Sequence, residues 1–279
     1  MIDGVEAIIA LALWEDIGHQ DVTTRSLIDV AERGSARIKA KEDFLLAGMN
    51  IFFRVFVQLE KEVTITPFFH DGDEIKQGDV IAEVRGPLWA LLTGERTALN
   101  FLQRLSGIAT LTREIVKKVE RYPVRILDTR KTTPGWRTLE KEAVKVGGGF
   151  NHRWGLYDGV LIKDNHIRAV GGIEKAVAKA RAQIPLTMKI EVEVSSLEEV
   201  DEALRAKADI IMLDNMSLDE MRLAVEKIKG RAPVEASGGI TIENVASVAK
   251  TGVDFISMGA LTTSFRAVDI SMDLEAKGN

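Results

Sequence analysis

Cysteine is absent from the 279 residues, which removes disulfide frameworks, thiolate zinc sites, iron–sulfur clusters and a cysteine nucleophile together. Histidine is scarce. The four present, His19, His70, His152 and His166, make no pair at helical metal-ligand spacing, so no His-rich zinc set is expected. The apolar stretch at 4–14 is too short to span a bilayer, and its only early charges are acidic, so neither a membrane helix nor a signal peptide fits and a soluble, cytoplasmic protein is expected. No Gly-x-Ser-x-Gly elbow or Walker loop occurs, which leaves serine hydrolase and P-loop ATPase chemistry unsupported. Basic residues are not in excess either: 37 Lys and Arg face 42 Asp and Glu, a net charge of −5. Nucleic acid or an anionic membrane is therefore not an expected partner, and an anionic ligand must meet a local patch.

One such patch exists. Residues 125–168 hold nine basic and five acidic side chains, a net of +4 inside a chain of −5. The length allows roughly two domains, and the two halves read differently. Residues 36–84 carry short alternating stretches, a helix over 50–59 and Asp-Gly and Gly-Asp turns, the pattern of a small α+β domain. A helix over 93–106 follows. Beyond it, apolar runs at 124–128, 159–163, 188–194, 210–214, 234–237 and 254–258 alternate with helical patterns at 173–182, 197–207 and 218–229. Near-continuous apolar strands alternating with helices imply a parallel sheet covered on both faces. Without a Gly-x-Gly-x-x-Gly turn after the first strand, a (β/α) barrel is preferred to an open doubly wound sheet. The expected domains are 1–107 and 108–266, with the weakly alternating tail 267–279 returning to the first.

Almost every one of these strands ends in a group that packing would not select: Asp128 to Lys131, Lys163 and Asp164, Glu191 and Glu193, Asp214 and Asn215, Ser237-Gly238-Gly239, and Ser257-Met258-Gly259. In a barrel such ends converge on one mouth. The two small ends precede helical segments, so their backbone N–H groups suit a phosphate. Arg130, Lys131, Arg153 and Lys163, with His152 nearby, are suited to a ligand carrying more than one negative charge. Glu193 and Asp214 are hard oxygen ligands of the kind Mg²⁺ takes. Glu191 and Glu193 share one face of their strand, so spacing does not decide which reaches a ligand. Two other readings remain at this level: Lys163 as a Schiff-base lysine of an aldolase, and a non-catalytic anion-binding module.

The blocks DTRKTTPG (128–135), GGGFNHR (147–153) and LIKDNH (161–166) resemble those of the quinolinate phosphoribosyltransferase family. The likeness continues in order through GERTALN (94–100), LSGI (105–108), EVEV (191–194), LDN (213–215), VEASGGI (234–240) and SMG (257–259). The resemblance implies an N-terminal α+β domain and a C-terminal barrel of seven strands, assembled as a homodimer or a higher oligomer of dimers. It also implies the conversion of quinolinate and phosphoribosyl pyrophosphate, with Mg²⁺, to nicotinate mononucleotide, pyrophosphate and CO₂ in NAD biosynthesis. By the same resemblance, Arg130, Lys131, His152 and Arg153 hold the quinolinate carboxylates, and Arg96 reaches in from a partner subunit. Lys163 serves the carboxylate and pyrophosphate region, Glu193 and Asp214 the ribose and metal, and Ser237, Gly238 and Gly259 the 5′-phosphate. Lys131, Lys163, Glu193 and Asp214 are the implied catalytic set.

Overall fold

A computed structural model describes residues 4–275; the last four residues of the expected tail, 276–279, lie outside the described residues. The strands in chain order are β1 (Arg33–Ala40), β2 (Phe44–Leu45), β3 (Thr64–Pro67), β4 (Glu74–Ile75), β5 (Val80–Pro87), β6 (Arg125–Leu127), β7 (Val160–Ile162), β8 (Ile190–Val194), β9 (Ile210–Asp214), β10 (Val234–Ser237), β11 (Phe255–Ser257) and β12 (Ile270–Leu274). The chain divides into two compact units. The first holds the described residues up to Arg113, Thr133–Gly148 and the described residues from Ser264 onward; the second holds Glu114–Thr132 and Gly149–Thr263.

In the first unit an antiparallel sheet runs β12-β1-β5-β3, and β2 pairs with β4. The helix Met49–Leu59 buries Ile51, Phe52, Val55 and Phe56. Their spacing makes one apolar stripe, the reason this segment is legible as an amphipathic helix. The following helix, Leu88–Val119, extends well past the 93–106 expected from its apolar pattern. Gly107, just past that span, is needed for close approach: a Cβ at this position would stand 2.2 Å from the Arg266 carbonyl oxygen. The glycine admits the returning chain against the helix without breaking it. Arg104, on the same helix, meets the fully buried Glu140 of helix Arg137–Val146 at 2.6 Å and lies over the rings of Trp136 and Phe265.

The second unit carries six parallel strands in the order β6-β11-β10-β9-β8-β7. Ile190, Val192, Val194, Ile211, Leu213, Ala236 and Ile256 are essentially inaccessible, as expected for strands with helices packed on them. Register places Glu193 beside Met212, Met212 beside Glu235, and Asp214 beside Ser237. Since alternate residues share a face, positions 191 and 193, 212 and 214, and 235 and 237 all belong to one side of the sheet. At the β6 edge a single parallel bridge joins Leu127 to Phe150, with the Phe150 amide donating to the Ile126 carbonyl at 2.8 Å.

Candidate active site

The polar strand ends of the second unit come together as specific contacts. Lys163, just beyond β7, donates from Nζ to Glu193 Oε2 on β8 at 2.5 Å. The lysine side chain is 45% exposed, so it is an ion-paired surface cation, unlike a Schiff-base lysine enclosed in an apolar pocket. Glu193 is thus the glutamate that faces the strand ends. Glu191, on the same face but two residues and about 7 Å deeper along the strand, is 4% exposed.

Glu191 meets His152. The imidazole Nε2 lies 3.0 Å from Glu191 Oε2 and 3.5 Å from Glu235 Oε2, and these three side chains could geometrically hold a metal ion. Burial pulls the His152 pKa down, but hydrogen bonds to the two carboxylates outweigh it and lift it to about 10. Burial also raises Glu191, against the lowering effect of His152. The raised His152 and the raised Glu191 are two ends of one coupled hydrogen bond, so the proton between them is shared. Nδ1 accepts the Arg153 amide N–H at 2.8 Å, so the hydrogen of the ring is the one on Nε2, facing the carboxylates.

The same loop is pinned from beneath by Asp128, which is wholly buried at the end of β6. Its carboxylate accepts the His152 amide at 2.9 Å and Asn151 Nδ2 at 2.5 Å. Arg153 then donates from Nη1 to the Gly159 carbonyl at 2.9 Å. Burial and the neighbouring charge of Arg130 hold the Arg153 pKa below the usual guanidinium value, which puts these two cations within each other's field. Lys131 is fixed by its main chain: its amide donates to Thr129 Oγ1 at 3.0 Å, and its carbonyl accepts Thr262 Oγ1 at 2.6 Å. Its side chain covers Gly259, where an added Cβ would lie 2.9 Å from Lys131 Cδ.

Asp214 ends β9 beside Asn215, whose Nδ2 donates to Asp214 Oδ2 at 2.8 Å. Asn215 has φ of +54° and its amide donates to the Ser237 carbonyl at 3.0 Å. Opposite it, Gly238 has φ of +88°, and a Cβ there would stand 2.3 Å from Asn215 Oδ1. Only glycine satisfies both the backbone and the space. Ser237 and Gly238 are therefore coupled to Asp214 through Asn215. Arg96 belongs to the first unit, exposed on the helix Leu88–Val119.

Asp128 and Asn215 stand among the strand-end groups read from sequence but carry no assigned role there, and Glu235 is absent from that set. Glu235 had a readable signal: it stands two residues before the strand-end Ser237, so a charged residue on an otherwise apolar strand shares that serine's face.

For a divalent ion the two carboxylate groups differ. Glu193 and Asp214 are hard oxygen donors at partly open strand ends, where an Mg²⁺ ion could keep waters and share phosphate oxygens. The His152 trio has two buried carboxylates and a partly exposed imidazole that presents Nε2–H, a donor, toward them.

Parallel strands whose C-terminal ends gather cations, carboxylates and a glycine turn are those of an α/β enzyme for small anionic substrates. Residues 21–106 match the family described as quinolinate phosphoribosyl transferase, N-terminal domain, and residues 108–273 the corresponding C-terminal domain. The chain belongs to the quinolinate phosphoribosyltransferase family. A Bacillus subtilis protein described as a probable nicotinate-nucleotide pyrophosphorylase (carboxylating) is 48% identical over 260 residues, covering 93% of this chain and 90% of the relative. The solved nicotinate-nucleotide pyrophosphorylase from Francisella tularensis is 43% identical with a TM-score of 0.94, covering 98% of this chain and 96% of that one. The one from Ehrlichia chaffeensis is 39% identical with a TM-score of 0.93, covering 99% and 100%. Among the described residues no helix is long and apolar enough to cross a membrane.

Proposed function

We propose that this chain joins quinolinate to the ribose of phosphoribosyl pyrophosphate and releases CO₂ and pyrophosphate, giving nicotinate mononucleotide for NAD biosynthesis. The observation that carries the reading is the setting of Arg130, Lys131, Arg153 and Lys163 about the strand ends of a chain in this family. Two carboxylates on one small ring need such a set, because a desolvated carboxylate without a cation is costly.

In this reading Arg130, Lys131, Arg153 and His152 receive the quinolinate carboxylates, joined by Arg96 of the partner subunit in a homodimer or an oligomer of dimers. Ser237, Gly238 and Gly259 take the 5′-phosphate through backbone N–H groups. Glu193 and Asp214 hold Mg²⁺, which when bound neutralises charge on the departing pyrophosphate. The same two carboxylates face the ribose and stabilise the oxocarbenium-like state as the pyridine nitrogen attacks the anomeric carbon. Lys163 offsets the charge of the substrate carboxylate and the pyrophosphate. Once alkylated, the ring nitrogen is cationic, and its charge stabilises the electron pair left on the adjacent ring carbon as CO₂ departs; a proton from solvent then converts that carbon to C–H. Placement of the two reactants dominates over proton transfer.

The reading extends to architecture. β6 and β7, consecutive in the chain, are the two ends of the sheet order, and Phe150 bridges the β6 edge. Both facts support a seven-stranded (β/α) barrel over 108–266, with 1–107 and the tail 267–279 as the smaller domain. The chain works in the cytoplasm, where a protein free of cysteine needs no oxidising compartment.

Incubating the purified chain with quinolinate, phosphoribosyl pyrophosphate and Mg²⁺ tests the proposal. Nicotinate mononucleotide and CO₂ should form in equal amounts. Product from nicotinate but not from quinolinate would overturn the substrate assignment.

A further inference from the structure

The reaction as written leaves Glu191 and Glu235 without a task, although they are among the most deeply buried charged residues of the second unit. They are 4% and 2% exposed, and the Oε1 atom of each is buried with no hydrogen-bond partner. Burying two carboxylates side by side costs stability, and ordinary packing on β8 and β10 would be served by apolar residues. What they face is His152 Nε2, at 3.0 and 3.5 Å.

Two roles could explain such a cluster: ligation of a divalent metal, or control of the histidine. The ring decides between them. Nδ1 is committed as the acceptor of the Arg153 amide at 2.8 Å, so the hydrogen that every imidazole carries is on Nε2. A nitrogen bearing hydrogen donates and cannot ligate. The geometry thus makes Glu191 and Glu235 acceptors for Nε2–H, and through the ring they fix the main chain at Arg153. Asp128 holds the same loop independently, accepting from the His152 amide and the Asn151 side chain. A loop held at three successive residues places the Arg153 guanidinium reproducibly, and its Nη1 bond to Gly159 completes the support.

We propose that Glu191 and Glu235 are positioning residues of the dicarboxylate subsite: they hold His152 in its Nε2–H form, and His152 Nδ1 in turn sets the backbone that aims Arg153. The identity of the ligand at that subsite rests on the function proposed above; the tautomer and the metal exclusion do not. Neither glutamate touches substrate. Their effect is on quinolinate binding and leaves the phosphoribosyl pyrophosphate side unchanged.

The test combines kinetics with ¹⁵N NMR of the full-length protein, in which His152 is assigned among the four histidines by its loss in His152→Asn. In the wild type the His152 ring should show a protonated Nε2 and an unprotonated Nδ1. Glu191→Gln and Glu235→Gln keep an oxygen acceptor and should preserve that tautomer, with quinolinate KM within about threefold of wild type. The double Glu191→Ala, Glu235→Ala variant should lose the fixed tautomer and raise quinolinate KM by about tenfold or more, the effect of a deleted buried hydrogen-bond partner. The KM for phosphoribosyl pyrophosphate should stay within about twofold. Nδ1–H in the wild type, Gln variants as impaired as the double Ala variant, or equal rises in both KM values would overturn the proposal. So would stoichiometric Zn²⁺ binding that both Gln variants abolish. If the double Ala variant does not fold, the wild-type tautomer and the Gln variants still decide. If the wild type does not turn over quinolinate, the proposed function fails, while the NMR and Zn²⁺ results still judge the positioning.

Discussion

Replacing Gly238 with alanine should damage the phosphate side of the site through a route that can be followed atom by atom. The backbone there has φ of +88°, a region that costs an L-residue about 1–2 kcal/mol. The added Cβ would also lie 2.3 Å from Asn215 Oδ1 and 2.5 Å from Asn215 Cγ. Asn215 cannot simply turn aside, because its amide nitrogen donates to Ser237 and its side chain to Asp214. Relief requires giving up the Asp214 bond, about a further 1 kcal/mol. The total is about 2–3 kcal/mol, or a fall in Tm of about 4–12 °C at 2–4 °C per kcal/mol for a chain of this class. Gly239 provides the control: its φ is +61°, but nothing lies within 4 Å of an added Cβ. Gly239→Ala should therefore incur only the backbone cost, about 1–2 kcal/mol. Thermal denaturation of the two variants, paired with KM for phosphoribosyl pyrophosphate, separates strain from collision. Gly238→Ala should raise that KM by about tenfold or more. Equal stability losses and equal KM values in the two variants would refute the proposed coupling of Gly238, Asn215 and Asp214.

Two further outcomes follow from contacts within each unit. Arg104→Ala leaves the fully buried Glu140 without its 2.6 Å partner, and a buried carboxylate stripped of its cation costs about 3–5 kcal/mol. Because the Arg104 side chain is 29% exposed and the Thr133 amide still donates to Glu140, urea denaturation should show a loss near the lower end; a loss under about 1 kcal/mol would contradict the role of the pair. Removing divalent ions with a chelator should abolish turnover while Mg²⁺ restores it, and Asp214→Asn should raise the Mg²⁺ concentration required. Full activity in chelator would remove Mg²⁺ from the account.

The sequence made the second unit legible because its strands are short apolar runs closed by polar residues. Residues 210–214 and 234–237 correspond to β9 and β10 without adjustment, and the strand ends hold the groups expected of them. Where reading failed, local pattern was not enough. The helix expected over 93–106 runs on through Gly107, which serves a contact with Arg266, more than 150 residues away, that no local pattern encodes. The strands β2 and β4 have two residues each, too few to establish a period. Helix Arg137–Val146 went unread because its charged sequence hides a stripe of buried residues, among them Glu140 and Lys141. In the site, parity alone left Glu191 and Glu193 equivalent, and only depth along β8 separates the residue that meets Lys163 from the one that meets His152. Glu235 shares the face of Ser237 by parity, but its meeting with His152 depends on a loop more than 80 residues away that no strand pattern encodes.

The most direct measurement of the central claim is a crystal structure of the chain with quinolinate bound. The account predicts both carboxylates within hydrogen-bond reach of the cation set, with Arg130, Lys131, Arg153 and Lys163 all contributing. Quinolinate seated away from these four side chains, or with either carboxylate facing only solvent, would contradict it.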